Sequence, residues 1–116
     1  MSKSKTDYDN LFDLIFEIVR HIPSGRVTSY GAIAKCIGTV SSARIVGWAM
    51  HAAGRYPDVP AHRVVNSQGL LTGKHHFGAP DMMEKLLKQE GVVVVNDKVK
   101  DFKNVFWDPA ELDAQL

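Results

Sequence analysis

The sequence predicts a mostly α-helical domain with minor β content, organised around a helix-turn-helix. Three observations carry this expectation. Apolar residues recur at intervals of three and four in four separate stretches, the spacing of one buried helical face. Pro23, Gly25, Gly38, Gly54 and Gly91 fall where those stretches should stop. Only the segment around Asn96 and Asp97 has strand formers on both sides of a plausible hairpin turn.

The first stretch, YDNLFDLIFEIVRHI, places Tyr8, Leu11, Phe12, Ile15, Ile18, Val19 and Ile22 on one side. Pro23-Ser24-Gly25 ends it, because a residue before proline avoids the helical basin and glycine permits the turn. TSYGAIAKCIG starts anew: Thr28 is positioned to cap, Tyr30, Ile33, Ala34 and Ile37 form the apolar face, and Gly38 terminates. After a short turn at Thr39-Val40-Ser41, SARIVGWAMHAAG forms a second helix with Ile45, Trp48, Ala49 and Ala52 turned inward. Two short helices joined by a tight turn make a helix-turn-helix. RYPDVPAHRVVNSQGLLTG, with its prolines, glycines and β-branched pair, reads as a loop feeding a short strand or turn. APDMMEKLLKQEG is a further helix with Met82, Met83, Leu86 and Leu87 on its apolar side, and the hairpin segment follows. The tail after Trp107 is expected to be loose.

A chain of 116 residues fits a single domain spanning 1–116, with a core of about 8–107. No apolar run approaches the ~20 residues of a membrane span, and MSKSKTDYDN lacks a signal-peptide core, so a cytoplasmic protein is expected. The single Cys36 excludes an internal disulfide or a multi-cysteine zinc site. Net charge is only +1, so any affinity for polyanions must come from local arrangement. Such an arrangement exists: no acid lies between Glu17 and Asp58, whereas Arg20, Arg26, Lys35, Arg44 and Arg55 do. A basic island of this kind suits a nucleic acid.

The outward face of the second helix sharpens that idea. Ser42, Ala43 and Gly47 are small, and Arg44 is the single long polar side chain among them. A helix reading base edges in the major groove carries several such side chains. This one suits a narrower groove, with one side chain inserted into the base stack. The loop VPAHRVVNSQG has the look of an active site, with a proline, a histidine and an arginine, yet Ala61 stands where a nucleophile is expected.

TSYGAIA, SSARIVGWAM, VPAHRVV and LLKQEG occur in the order and spacing of the DNA-binding domain of O6-alkylguanine-DNA alkyltransferases, whose signature is Pro-Cys-His-Arg-Val. The likeness covers roughly residues 8 to 95, and with the cysteine replaced by Ala61 the chain resembles the alkyltransferase-like proteins. That resemblance implies a winged-helix-like domain of the methyltransferase C-terminal type, no enzymatic activity, no cofactor and no metal. It implies a monomer that binds O6-alkylguanine in duplex DNA through the minor groove, flips the nucleotide, and directs the lesion to nucleotide excision repair. UvrA and UvrC of the bacterial cytosol and nucleoid are the implied protein partners.

Residue by residue, the resemblance assigns Arg44 to the gap in the base stack, Tyr30 to rotation of the 3′ phosphate, and Ser42, Ala43 and Gly47 to contact with DNA. Tyr30, Pro60, Ala61, Val64, Val65 and Lys74 are expected to form the lesion pocket. His62 and Glu90 match a relay that would deprotonate a thiol, and Arg63 braces the loop; without the thiol they should be structural. Ala53 stands in place of a hinge asparagine, and Lys74-His75 in place of a Tyr-Ser pair. Small Ala61 leaves room for adducts larger than methyl. Two other readings predict different behaviour. A helix-turn-helix transcription regulator would bind undamaged DNA by sequence, and an enzyme using His62 as base would remove the alkyl group. Cys36 within AIAKCIG fits a small packed residue, the Met82-Met83 pair fits packing, and His51, His62, His75 and His76 lack a chelating spacing.

Overall fold

The computed structural model describes residues 7–38 and 42–112. Helix α1 (Asp7–Arg20) is followed by strand β1 (Thr28–Ser29), α2 (Tyr30–Ile37) and α3 (Ala43–Ala52). Two single 3₁₀ turns, Ala53–Arg55 and Ala61–Arg63, lead to β2 (Val64–Val65), and a third spans Lys74–Phe77. Helix α4 (Met82–Gln89), the hairpin β3 (Val94–Val95) and β4 (Lys98–Val99), and the short α5 (Phe102–Val105) complete the order. The expected turn at 39–41 lies outside the described residues. No helix among them is long and apolar enough to cross a membrane.

Each helix forms where its period and its cap agree. The apolar side of α1 buries Ile15, Phe16, Ile18 and Val19 against α3, and Ile22 continues the same face beyond the helix. The cap of α2 is Ser29, whose Oγ accepts from Ala32 N at 3.0 Å, rather than Thr28. Thr28 instead extends beside Val64, a role suited to a β-branched residue, and its buried Oγ1 has no hydrogen-bond partner. Ser42 caps α3 by accepting from Ile45 N at 3.3 Å. In α3 the core-facing residues are Val46, Ala49 and Met50, not Trp48, which is 48% exposed. Met83 and Leu87 are the buried residues of α4, while Met82 lies at the surface.

The hairpin forms as expected. Asn96 and Asp97 have φ of 53° and 62°, and two successive left-handed residues match the right-handed twist of the flanking strands. The described residues after Trp107 are not loose: Leu112 N donates to Pro109 O at 3.0 Å, and Leu112 packs against the larger core cluster.

Two apolar clusters meet at a strand pair that the sequence did not reveal. Strand β1 runs parallel to β2, with Thr28 opposite Val64 and Ser29 opposite Val65. Successive strand side chains point to opposite faces. Val64 therefore joins the helical cluster with Ile33, Val46 and Met50, and Val65 joins Val27, Leu71, Met83 and Leu87. The chain end closes on the same place. Trp107 N donates to Val27 O, Val27 N to Val105 O, and the Arg26 guanidinium to the carbonyls of Val105 and Phe106.

Candidate nucleic-acid interface

The loop around Ala61 is held by a short network. Pro60 fixes the entry to the 3₁₀ turn, in which Arg63 N donates to Pro60 O at 3.0 Å. Arg63 then donates through Nε to Glu90 Oε1 at 3.0 Å, through Nη2 to Glu90 Oε2 at 2.6 Å, and through Nη1 to Ile22 O at 2.7 Å. Its planar fork matches the carboxylate, and the three bonds tie the loop to the end of α4 and the chain after α1. His62 Nε2 lies 2.9 Å from Glu90 Oε2.

Burial raises the Glu90 pKa, but hydrogen bonds from Arg63 and His62 outweigh it and carry the carboxyl down to about 2. Burial also lowers the His62 pKa, against the opposing pull of Glu90. Near neutral pH the pair is a neutral imidazole beside a carboxylate. Donation from Nε2 to Glu90 leaves Nδ1 unprotonated, the state of a general base. The residue beside it is Ala61, which offers no proton to take.

Beside this loop lies a cavity of about 450 Å³, within the usual range of small-molecule sites. Its lining includes Pro60, Ala61, His62 and Arg63, with Met50 and Ala53 from α3 and the turn after it, and His76, Phe77 and Leu86 from the third 3₁₀ turn and α4. Arg20, Tyr56 and Asp58 also line it; Arg20 Nε donates to Asp58 Oδ2 at 2.8 Å and Phe16 packs on Tyr56 at 5.2 Å. Tyr56 and Asp58 share the proline-rich loop with Pro60, so that loop was the one signal for them. Nothing local announced Arg20, which meets Asp58 across 38 positions.

Of the expected pocket residues, Pro60 and Ala61 line this cavity and four others do not. Val64 and Val65 are 1% and 0% exposed, because strand alternation commits them to the two core clusters. Lys74 is drawn to the hairpin turn, where Nζ donates to Asp97 Oδ2 at 2.6 Å. Tyr30 is also outside the lining and packs against the helical core cluster. A Cβ on Gly73 would lie 2.8 Å from its hydroxyl, so a side chain there would force the Tyr30 tip to shift. Burial raises the Tyr30 pKa, partly offset by a hydrogen bond with Thr72.

Four of the residues expected to face DNA lie on α3 and its cap. Ser42, Ala43 and Arg44 are exposed and Gly47 is half-buried. Arg44 Cζ lies 6.0 Å from the centroid of the Trp48 ring. The basic island is thinner than its sequence suggests, since Arg20 is paired with Asp58 and Glu17 and Arg26 holds the chain end. Lys35, Arg44 and Arg55 remain at the surface. His51 and His76 meet edge to face at 4.3 Å, but no group of three metal-ligating side chains converges among the described residues.

Residues 10–92 match the family model of the 6-O-methylguanine DNA methyltransferase DNA-binding domain. The chain is 31% identical to alkyltransferase-like protein 1 of Schizosaccharomyces pombe over 105 residues, covering 87% of this chain and 97% of that protein. It is 32% identical to the DNA base-flipping protein of Escherichia coli over 102 residues, covering 86% of this chain and 76% of that one. The fold matches a crystal structure of the S. pombe protein in complex with damaged DNA containing O6-carboxymethylguanine. The TM-score is 0.73 at 33% identity, covering 85% of this chain and 95% of the other. This chain thus belongs to the 6-O-methylguanine DNA methyltransferase DNA-binding-domain family, in its alkyltransferase-like form.

Proposed function

We propose that this protein is a non-catalytic sensor of O6-alkylguanine in duplex DNA. The observation that carries the reading is Ala61 at the edge of a 450 Å³ cavity, inside an intact His62–Glu90–Arg63 network that has no thiol to activate. In this reading α3 lies in the minor groove, with Ser42, Ala43 and Gly47 against the backbone. Arg44 fills the gap in the stack, and Tyr30 crowds the phosphate of the extruded nucleotide. The S. pombe relative bound to O6-carboxymethylguanine DNA and the E. coli relative named for base flipping support the reading.

Energetics explain how binding without chemistry discriminates. Extrusion costs a few kcal/mol, and less for a damaged or mispaired base, so flipping itself selects lesions. Burying an alkyl carbon beside Ala61 adds roughly 0.8 kcal/mol. Small adducts gain modestly, and larger ones gain more in a cavity without a bulky side chain at position 61. A monomer in the bacterial cytosol that marks and bends the DNA in this way hands it to nucleotide excision repair, with UvrA and UvrC as the receiving proteins.

The test is an equilibrium titration of one short duplex with and without a central O6-methylguanine at fixed salt, followed by recovery of the DNA. Preference for the lesion with the methyl intact is the expected result. Equal affinity for both duplexes would leave a regulator of undamaged DNA, and loss of the methyl would leave an enzyme.

A further inference from the structure

Helical periodicity in the sequence favoured Trp48 as a core residue, yet it is 48% exposed. The turn angle of α3 explains why. Val46, Ala49, Met50 and the following Ala53 share the buried side, which leaves Arg44, Trp48 and His51 on the opposite stripe. The stripe is continuous in chemistry. Arg44 lies against the Trp48 ring at one end, and at the other His51 meets His76, which lines the cavity. Small Ala43 and Gly47 flank it, within a segment that carries no acid from residue 18 to residue 57.

We infer that Trp48 is a second groove-entering residue beside Arg44, its indole stacking on the sugar and base edges of the bound duplex. This rests on the reading of α3 as the DNA-facing helix. An aromatic ring interleaved with arginine is the composition of a nucleic-acid stacking surface, and apolar wedges in the minor groove separate base steps. Four residues of helix advance about 6 Å, so Trp48 meets the duplex one to two base steps from the gap filled by Arg44. In the free protein the indole holds the guanidinium by a cation–π contact. On binding, Arg44 leaves for the stack and DNA covers the ring face.

The experiment compares wild type, Trp48→Ala and Trp48→Phe on undamaged duplex and on duplex with a central O6-methylguanine at one salt concentration. Tryptophan emission is followed in the same titrations, and thermal melting checks that both variants fold. Trp107, 3% exposed, is the other tryptophan and serves as the internal reference. Trp48→Ala is expected to weaken both duplexes about tenfold, the size of one base–aromatic stacking contact, with Trp48→Phe recovering most of the loss. DNA should quench the wild-type emission and leave that of Trp48→Phe unchanged. Affinities of Trp48→Ala within twofold of wild type or tighter, or wild-type emission indifferent to DNA, would overturn the inference. The two readings fail separately. A wild type without lesion preference sinks the sensor, whereas the role of Trp48 is decided by the undamaged duplex.

Discussion

Arg63 and Arg44 are the same side chain put to opposite uses. Arg63 is 16% exposed and spends its guanidinium on Glu90 and the Ile22 carbonyl. Arg44 is exposed on α3, with its guanidinium over the Trp48 ring. An arginine that donates from all three of its nitrogens inside the fold holds a shape. One kept at the surface beside small residues is available to a ligand. The difference places the rigidity of the loop around Ala61 in Arg63 and, under the proposed sensor function, the affinity on α3.

Replacement of the two arginines should separate these roles most clearly. Arg63→Ala leaves Glu90 without its main partner, and losing one member of a mostly buried pair costs about 3–5 kcal/mol. Urea unfolding should show that loss. Arg44→Ala should stay within about 0.5 kcal/mol of wild type in the same assay. A stable Arg63→Ala protein would mean that the network is ornamental.

Acid should weaken the same loop. The Glu90 pKa is about 2 in the fold against an ordinary value of 4.5. Its contribution is therefore complete above pH 4.5 and is lost as pH falls towards 2, on the order of 2 kcal/mol after solvent screening. His62, also lowered, loses stability in the same direction below its ordinary value of 6.5. Melting curves from pH 7 to pH 2 should show the slope, and Glu90→Gln should flatten its acid limb.

On the other side of the comparison, Arg44→Ala should reduce affinity for the lesion duplex about thirtyfold, as expected for a central arginine contact. Unchanged affinity in a fluorescence titration would remove it from the interface. The smallest effect is expected at Thr28. Replacing its unpartnered buried hydroxyl by the methyl of Thr28→Val should stabilise the protein by about 1 kcal/mol, read as a raised Tm.

What was legible in the sequence follows the range of the interactions. The extents of the helices, the stops at Gly38 and Gly91 and the Asn96-Asp97 turn are local, and each appears where the sequence placed it. The motif order carried the family and located Ala61, His62 and Glu90. Long-range partners were not legible. Two-residue strands have no period to detect, so the pairing of Thr28 with Val64 was invisible, and Val64 and Val65 were assigned to the wrong wall. Lys74 was assigned to the pocket by resemblance, whereas the fold brings Asp97 to it from 23 positions away. Trp48 misled because hydrophobicity alone cannot tell a core residue from one intended for a ligand.

The pairing of β1 with β2 also has a practical consequence for redesign. Tyr30 begins where β1 ends, and the turn holding Ala61 ends where β2 begins. Four residues in one register thus act as a gauge that fixes the spacing between Tyr30 and Ala61. Adding or deleting a residue between Ala61 and Val64 would throw both out of alignment together. Changes of length within residues 54–58 would alter the lining of the cavity and leave the gauge untouched, which under the proposed sensor function makes that segment the place to engineer adduct preference.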